Sequence, residues 1–490
     1  MSSNVRVRFA PSPTGDLHIG GVRTALFNWL FARHHDGDFI LRIEVTDEER
    51  SSVASTEQII SAMDWLGLER DEGPETGGDK GPYFQSRRQT LYQKALNYLL
   101  EQGHAYHCYC SEEEVEQMKQ EAEEAGKPAI YPGHCRNLSV EERKKYEAEG
   151  REPVVRLKTP HTGETTVSDI IRGEVSFDNS LQGDFVIAKT DGSPTYNFAC
   201  VVDDNTMEIS HVIRADEHLS NTPKQIMVYQ VLDLNPPEFA HVPMILAPDR
   251  SKLSKRHGAT SVDEFKEQGY LPEGLINYLL LLGWSPGNNQ EVIDLETAIR
   301  RFELSDVSQT ASVYDTDKLT WLNGKYMRKL PLEKIVDRAM PFIEKGGYLE
   351  SPLTARESQR LEKIIDAVRE RARTLEELVD GISYFYDDNF EYEKEGVDQH
   401  FTPDNTETIL KNCIDCLETL EKFNRETIED CYRQRSQELG VKAARMIHTT
   451  RLALSGRTFG PGLFTLVELV GQKEALKRLK RALEFVKQEL

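Results

Sequence analysis

The stretch Val5-Arg-Val-Arg-Phe-Ala-Pro-Ser-Pro-Thr-Gly-Asp-Leu-His-Ile-Gly-Gly21 decides the fold. Val5 to Ala10 is rich in strand formers, and Pro11, Pro13 and Gly15 stop it. From Ile19 to Ala32 the apolar residues Val22, Leu26, Trp29 and Leu30 recur at helical spacing. A strand that passes through a tight turn into a helix N-terminus is where α/β proteins bind phosphate. The first helical turn offers unpaired N–H groups and the positive end of the dipole. His18 sits at that end, where a ring N–H can donate to a phosphate oxygen.

Outward from there, Phe39–Ile43 reads as a second strand and Ser55–Leu66 as a helix with Ile59, Ile60, Met63 and Leu66 on one face. Leu91–Gln102 is another helix, and the sheet resumes with Phe198–Asp203 and His211–Arg214. Far downstream, Lys252-Leu-Ser-Lys-Arg256, followed by His257-Gly258, forms a basic loop. Two lysines around a serine suit a pyrophosphate that gains charge as it leaves. Either motif alone is a weak signal, since a histidine at a helix start is more often a cap or a buried side chain. Their order, separation and flanks give them weight together.

Together they resemble the HIGH and KMSKS signatures of class I aminoacyl-tRNA synthetases. Leu41-Arg-Ile-Glu44, Pro194-Thr-Tyr-Asn-Phe198, Val201-Val-Asp-Asp204, His211-Val-Ile-Arg214 and Trp321-Leu-Asn-Gly-Lys-Tyr326 extend the likeness. The chain resembles bacterial glutamyl-tRNA synthetases from about residue 5 to the C-terminus. The resemblance implies a multidomain α/β protein with a Rossmann-like catalytic domain in two halves, 1–88 and 198–245. An α+β insertion, 89–197, would hold the acceptor end of tRNA. A stem-contact domain with the lysine loop would span 246–330, and an all-helical anticodon-binding half 331–490, split near 420. From Leu332 onward the sequence does read as helix: Leu332–Glu344, Thr354–Val379, Thr406–Phe423, Ser436–Ala453, Leu463–Val470 and Lys473–Glu489. Glutaminyl relatives carry β-barrels there.

The implied reaction has two steps. The α-carboxylate of glutamate attacks the α-phosphorus of ATP, giving glutamyl-adenylate and pyrophosphate. The 2′-OH of the terminal tRNA adenosine then attacks the activated carbonyl. By the resemblance, His18, Lys252 and Lys255 stabilise the transferring phosphates, Gly20, Gly21 and Ser254 complete the ATP site, and Mg²⁺ bridges phosphate oxygens. Arg8 with Tyr196 takes the side-chain carboxylate, Arg214 with Ser12 the α-carboxylate end, and Glu44 the ammonium. Arg369, Arg371 and Arg373 would read the last anticodon base, which favours tRNA(Glu) alone. The rival readings are an enzyme that also charges tRNA(Gln) and a non-catalytic tRNA-binding paralogue.

Three departures stand out. Gly21 replaces the second signature histidine, Val45 replaces an acid in Arg42-Ile-Glu-Val-Thr-Asp47, and Cys200 stands where some relatives have a polar residue. Cys108-x-Cys110 and Cys135 make a tetrahedral zinc site that lacks one ligand. Tyr131 is the fourth ligand that the resemblance supports, with His134 and His107 as competitors and a metal-free knuckle as the alternative. Cys413-x-x-Cys416 has no second pair and reads as a buried helix face.

Bulk properties set outer limits. A chain of 490 residues is too long for one core. No apolar run approaches the roughly 20 residues that span a bilayer, and the N-terminus lacks a signal-peptide pattern. Seven scattered cysteines argue against a disulfide framework and for a reducing, cytoplasmic setting. The net charge of −22 argues at first sight against nucleic acid. Basic groups nevertheless gather at Arg300/Arg301, Lys325/Arg328/Lys329, Arg369/Arg371/Arg373 and Lys473/Lys477/Arg478/Lys480/Arg481, with acid concentrated elsewhere. Relatives of this kind suggest a monomer.

Overall fold

The structure is a computed structural model that describes residues 5–13, 17–45 and 53–489, without the side chains of Val53 and Lys255. The turn at Gly15, Asp47 and the reach of the Lys255 side chain therefore lie outside the described residues. The chain forms two compact units, Met1–Phe265 with Ile276–Asp315 and Lys266–Leu275 with Thr316–Leu490.

In the first unit, β1 (Arg6–Phe9) leads to α1 (Ile19–His34) and returns as β2 (Asp38–Leu41), which pairs parallel to β1 with Arg8 opposite Ile40. The α1 helix is buried from Val22 to Ala32 on every side, so its apolar spacing understates its burial. Helices α2 (Val53–Leu66) and α3 (Gln89–Glu101) follow. Next come β3 (Ala105–Cys108), α4 (Glu112–Glu124), α5 (Val140–Ala148) and β4 (Val154–Leu157). Ser111 and Ser139 close capping boxes on Glu114 and Glu142, which start both charged helices.

A hairpin of β5 (Glu164–Asp169) and β6 (Gly173–Asp178) precedes β7 (Val186–Ala188) and α6 (Tyr196–Thr206). The unit continues with β8 (His211–Ala215), α7 (Thr222–Val231) and β9 (Glu238–Val242). Strands order as β6-β5-β9-β8, with β5–β9 and β8–β9 parallel. The Ser210 N–H… Arg6 carbonyl contact, Ser210 immediately before β8, sets the β1–β2 pair beside this sheet.

One expectation is corrected here. Phe198–Asp203 is not a strand but the middle of α6. The β-formers Phe198, Val201 and Val202 lie on helical spacing and are buried with Leu96, Leu99, Met227 and Val228. Packing overrides propensity, as it does for short apolar runs that satisfy both periods.

The second unit is helical beyond Thr316 among the described residues, from Thr316–Lys329 to Gln472–Glu489. The expected helix Thr354–Val379 is two helices, Ala355–Arg369 and Leu375–Ile382. Thr374 accepts from the Glu377 N–H at 3.2 Å and starts the second one, while Asn323 donates to the Arg373 carbonyl at 2.5 Å. The stretch Thr406–Phe423 ends at Glu418, and Ser436 falls inside Arg425–Glu438 instead of opening the helix Ala443–Ser455. Cys413 and Cys416 are buried as a helix face, but Cys416 is also joined to Cys431 by a disulfide across a Cα separation of 6.0 Å. The two cysteines lie 15 residues apart, on successive helices, and no local pattern in the sequence marks them as a pair. No helix among the described residues is long and apolar enough to cross a membrane.

Candidate active site

A cavity of about 540 Å³ opens at the C-terminal end of β1 and the N-terminal end of α1. Of the residues singled out in the sequence, Arg8, Ser12, His18, Gly20, Gly21, Glu44, Tyr196, Arg214 and Lys252 line it. A strand end facing a helix start is where open α/β sheets place their ligands.

His18 is the N-cap of α1, and its Nδ1 accepts from the Gly20 N–H at 3.3 Å. That acceptor role puts the ring proton on Nε2, leaving the imidazole a donor. A Cβ at Gly21 would stand 3.3 Å from Leu17 Cδ1, so the α1 start is tight at that position. The segment after the lysine loop runs along the same helix start: Ile19 N–H donates to the Thr260 carbonyl at 2.9 Å, and Val262 N–H to the Leu17 carbonyl at 3.2 Å. The two sequence motifs, more than two hundred residues apart, are thus stitched together. Lys252 is 78% exposed, with Nζ 3.4 Å from Glu217. Ser254 hydrogen-bonds His257 Nδ1 at 3.2 Å, and Lys255 starts a single 3-10 turn.

The opposite end of the cavity is a buried ion network. Arg8 Nε donates to Asp204 at 3.0 Å. Arg42 donates to Asp204 at 2.6 Å and to Glu44 at 2.8 Å. Burial pushes the Asp204 carboxyl up, but Arg42 and Arg8 outweigh it and hold it well below the usual range. Burial likewise opposes the charge of Arg8, and Asp204 restores it. Burial raises the Glu44 carboxyl, against the pull of Arg42 and Arg8. Asp203, the next residue on α6, accepts from Arg88 at 2.6 Å, Gln85 at 2.8 Å and Tyr92 at 2.9 Å. Cys200 lies in the same network, its thiol 3.4 Å from Asp204 and pushed up to about 12 by burial.

Arg214 Nε donates to His241 Nε2 at 3.1 Å, and its Nη2 donates to Thr222 at 2.9 Å and Gln225 at 2.8 Å. Its Nη1 is buried without a partner in the protein. Tyr196 Oη lies 3.3 Å from His218 Nδ1, and His218 is pushed down to about 4 by burial and by Arg214. Asp203, Asp204, Arg42, His218 and His241 were not singled out as site residues from the sequence. Arg23 was also missed; it lines the cavity and donates to the Leu282 and Pro243 carbonyls, and burial pushes it down to about 10. For Asp203 and Asp204 a signal existed in the Val-Val-Asp-Asp run, since two adjacent acids among buried apolar residues need cations.

The cysteine group also assembles. The Sγ atoms of Cys108, Cys110 and Cys135 lie within 4.8 Å of one another, Cys110 and Cys135 at 3.5 Å. Tyr131 Oη is 3.3 Å from Cys108 Sγ and 3.7 Å from Cys110 Sγ. Sulfurs around tetrahedral zinc stand about 3.8 Å apart, given Zn–S bonds of about 2.3 Å. The spacing of the three sulfurs is compatible with that ion, and the Tyr131 hydroxyl, which accepts from the Cys135 N–H at 2.8 Å, lies beside them. His134 instead points at Tyr146, 3.4 Å away.

In the second unit, Arg371 and Arg373 line a cavity of about 310 Å³ together with Asp380, Tyr384, Arg457 and Phe459. Arg369 is not part of it; it donates to the Leu330 carbonyl at 3.1 Å and pairs with Asp366 at 2.9 Å.

Residues 4–321 match the family described as class I tRNA synthetases (E and Q), catalytic domain, and residues 334–483 match an anticodon binding domain. A glutamate–tRNA ligase of Moorella thermoacetica is 53% identical over 488 residues, covering all of both chains. One from Caldanaerobacter subterraneus is 51% identical over 490 residues, again covering all of both. The crystal structure of a glutamate tRNA ligase from Elizabethkingia meningosepticum, in complex with its amino acid, superposes with a TM-score of 0.89 at 33% identity. It covers 99% of this chain and 100% of that one.

Proposed function

The chain belongs to the glutamate–tRNA ligases of class I and ligates glutamate to tRNA with ATP, and we propose that the cavity at the start of α1 is where both steps occur. The observation that carries this reading is the joining of His18 and the lysine loop on one cavity whose other end is cationic.

Charge bookkeeping favours glutamate. At the amino-acid end, the guanidiniums of Arg8 and Arg42 pair with the carboxylates of Asp204 and Glu44, and Arg214, bonded to His241, Thr222 and Gln225, adds one further positive charge. L-Glutamate carries one net negative charge. Glutamine carries none, so it leaves a buried cation unmatched, which costs far more than a missing contact. Arg8 and Tyr196 take the side-chain carboxylate, Arg214 and Ser12 the α-carboxylate end, and Glu44 the ammonium. Arginine suits both carboxylates because its fork donates two parallel hydrogen bonds.

The α-carboxylate then attacks the α-phosphorus and pyrophosphate leaves. His18, donating from Nε2, and the ammonium groups of Lys252 and Lys255 meet charge as it builds on the phosphate oxygens. Gly20, Gly21 and Ser254 bound the nucleotide, and Mg²⁺ supplies further charge neutralisation on the phosphates. In the second step the 2′-OH of the terminal adenosine attacks the carbonyl and AMP leaves. No covalent bond to the enzyme is needed, so catalysis is positioning and charge stabilisation.

The cavity of Arg371, Arg373, Arg457 and Phe459 joins guanidiniums to an exposed aromatic face, a combination suited to an unstacked base. It supports reading of the anticodon and selection of tRNA(Glu). Cys108, Cys110, Tyr131 and Cys135 would hold one structural Zn²⁺, tying β3 to the loop that carries Tyr131 and Cys135.

The test is charging with labelled glutamate on purified tRNA(Glu) and tRNA(Gln), with labelled glutamine in parallel. Glutamate on tRNA(Glu) alone is expected. Charging of both tRNAs overturns the selectivity, and transfer of glutamine overturns the charge argument.

A further inference from the structure

We propose that Asp169 and His241 are positioning residues for amino-acid recognition, holding Arg214 by a chain of hydrogen bonds across three adjacent strands. The proposal rests on the reading that Arg214 meets a carboxylate of the substrate.

The three residues sit side by side because of register. On the parallel pair β8–β9, Arg214 is opposite His241. On β5–β9, Asp169 is opposite Phe239, two residues before His241 on the same strand. Residues two apart on a strand share a face, so the order β5-β9-β8 lays carboxylate, imidazole and guanidinium in one line.

Each donor in that line is determined. The Asp169 carboxylate only accepts. Its Oδ1 takes the backbone N–H groups of Ile171 at 3.0 Å and Arg172 at 2.8 Å, which lock it in place. Its Oδ2 lies 2.6 Å from His241 Nδ1 and takes the His241 N–H at 3.0 Å. Nδ1 must therefore carry the ring proton. Nε2 is then a lone pair; Arg214 Nε donates to it at 3.1 Å, and the Thr222 hydroxyl, which itself accepts from Arg214 Nη2, lies at the same distance. Asp169 and His241 side chains are wholly buried and Arg214 is 5% exposed, so water does not substitute for any member. Burial pushes His241 down, which keeps the ring neutral and the lone pair available; the hydrogen bonds of His241 and the backbone hold Asp169 below its ordinary value despite its burial.

The guanidinium is thereby fixed at Nε by His241 and at Nη2 by Thr222 and Gln225. Among the described residues Nη1 alone has no partner, and Arg214 lines the cavity. An arginine bound on two of its three nitrogens can present the third in one direction only. That is the preorganisation a carboxylate ligand needs.

The tautomer supplies a test that a role in fold stability would not pass. In Asp169→Asn the amide N–H faces Nδ1, which must now accept. The ring proton moves to Nε2 and opposes the Arg214 Nε–H, so the guanidinium loses its hold while the side-chain volume stays the same. Asp169→Asn and His241→Phe are expected to raise the KM for glutamate about ten- to hundredfold, with kcat and the KM for ATP changed less than about threefold. His241→Gln, which keeps one donor for Asp169 and one acceptor for Arg214, is expected to restore most of the loss seen in His241→Phe. Full-length enzyme is assayed by aminoacylation of tRNA(Glu), with Tm measured alongside. A normal glutamate KM in Asp169→Asn overturns the proposal, as does a parallel rise in both KM values that tracks a fall in Tm, or a His241→Gln enzyme as impaired as His241→Phe. Arg214→Lys separates the two readings. If it leaves the glutamate KM unchanged, the role of Arg214 itself fails; if it raises that KM and Asp169→Asn does not, only the chain of hydrogen bonds fails.

Discussion

The two ends of the cavity are built on opposite plans. At the end lined by Arg8, Glu44 and Tyr196, which we assign to the amino acid, Arg8, Arg42 and Asp204 are almost fully buried, and both guanidiniums donate to Asp204. At the end beside His18, which we assign to the nucleotide, Lys252 is mostly exposed, its Nζ 3.4 Å from Glu217, on a loop with a single 3-10 turn. The difference follows from what each end must do. Discriminating glutamate from glutamine requires a charge pattern that exists before the substrate arrives, and a buried network cannot relax to accept the wrong one. Stabilising departing pyrophosphate requires charge only when the bond breaks, so an exposed lysine such as Lys252 suits the role proposed for it.

Four substitutions or conditions can break or sharpen that contrast. Asp204→Ala leaves Arg8 and Arg42 buried without their shared carboxylate. It should cost about 3–5 kcal/mol of stability in the first unit, read as a lower thermal midpoint along with lost activity; an unchanged midpoint would mean the network is not a fixed one. Lys255→Ala should lower the rate of glutamate activation by about 10²–10³-fold with an unchanged midpoint and nearly unchanged tRNA affinity. Retained activity would remove Lys255 from the mechanism.

The third test uses pH. Because burial raises the Glu44 carboxyl, Glu44 gains a proton at a higher pH than an ordinary glutamate does, and with it loses its attraction for the substrate ammonium. The glutamate KM should therefore climb as pH falls, beginning above the usual carboxylate range, while the KM for ATP stays flat. Glu44→Gln should raise the KM at neutral pH and abolish that climb. The smallest effect is expected of Glu217→Gln. The exposed contact with Lys252 contributes about 0–1 kcal/mol, so midpoint and rate should barely move, and a large effect would show that the loop is more firmly held than its exposure implies.

Legibility in the sequence followed sequence distance. The strand and helix around His18 were readable because propensity and the proline break act within a few residues. The α6 segment was misread because Phe198, Val201 and Val202 satisfy strand and helix alike, and only neighbours such as Leu96 and Met227 decide between them. The break at residues 370–374 was missed because the Asn323 side chain that takes the Arg373 carbonyl comes from another helix. Arg369 looked equivalent to Arg371 and Arg373 until the fold turned it toward Leu330.

By itself the sequence determined the α/β character of the catalytic part and the helical character of the rest. The substrate class also followed, through motifs resembling a known family. Only the tertiary structure decided which charges are buried and what holds them. Arg8 and Asp204 are 196 positions apart, and Asp169 meets His241 across 72. Nothing local marks one carboxylate among 82 acidic residues as the partner of a particular guanidinium. That assignment is made by strand register and by exclusion of water, which turn an interaction worth little at the surface into one that fixes a single geometry.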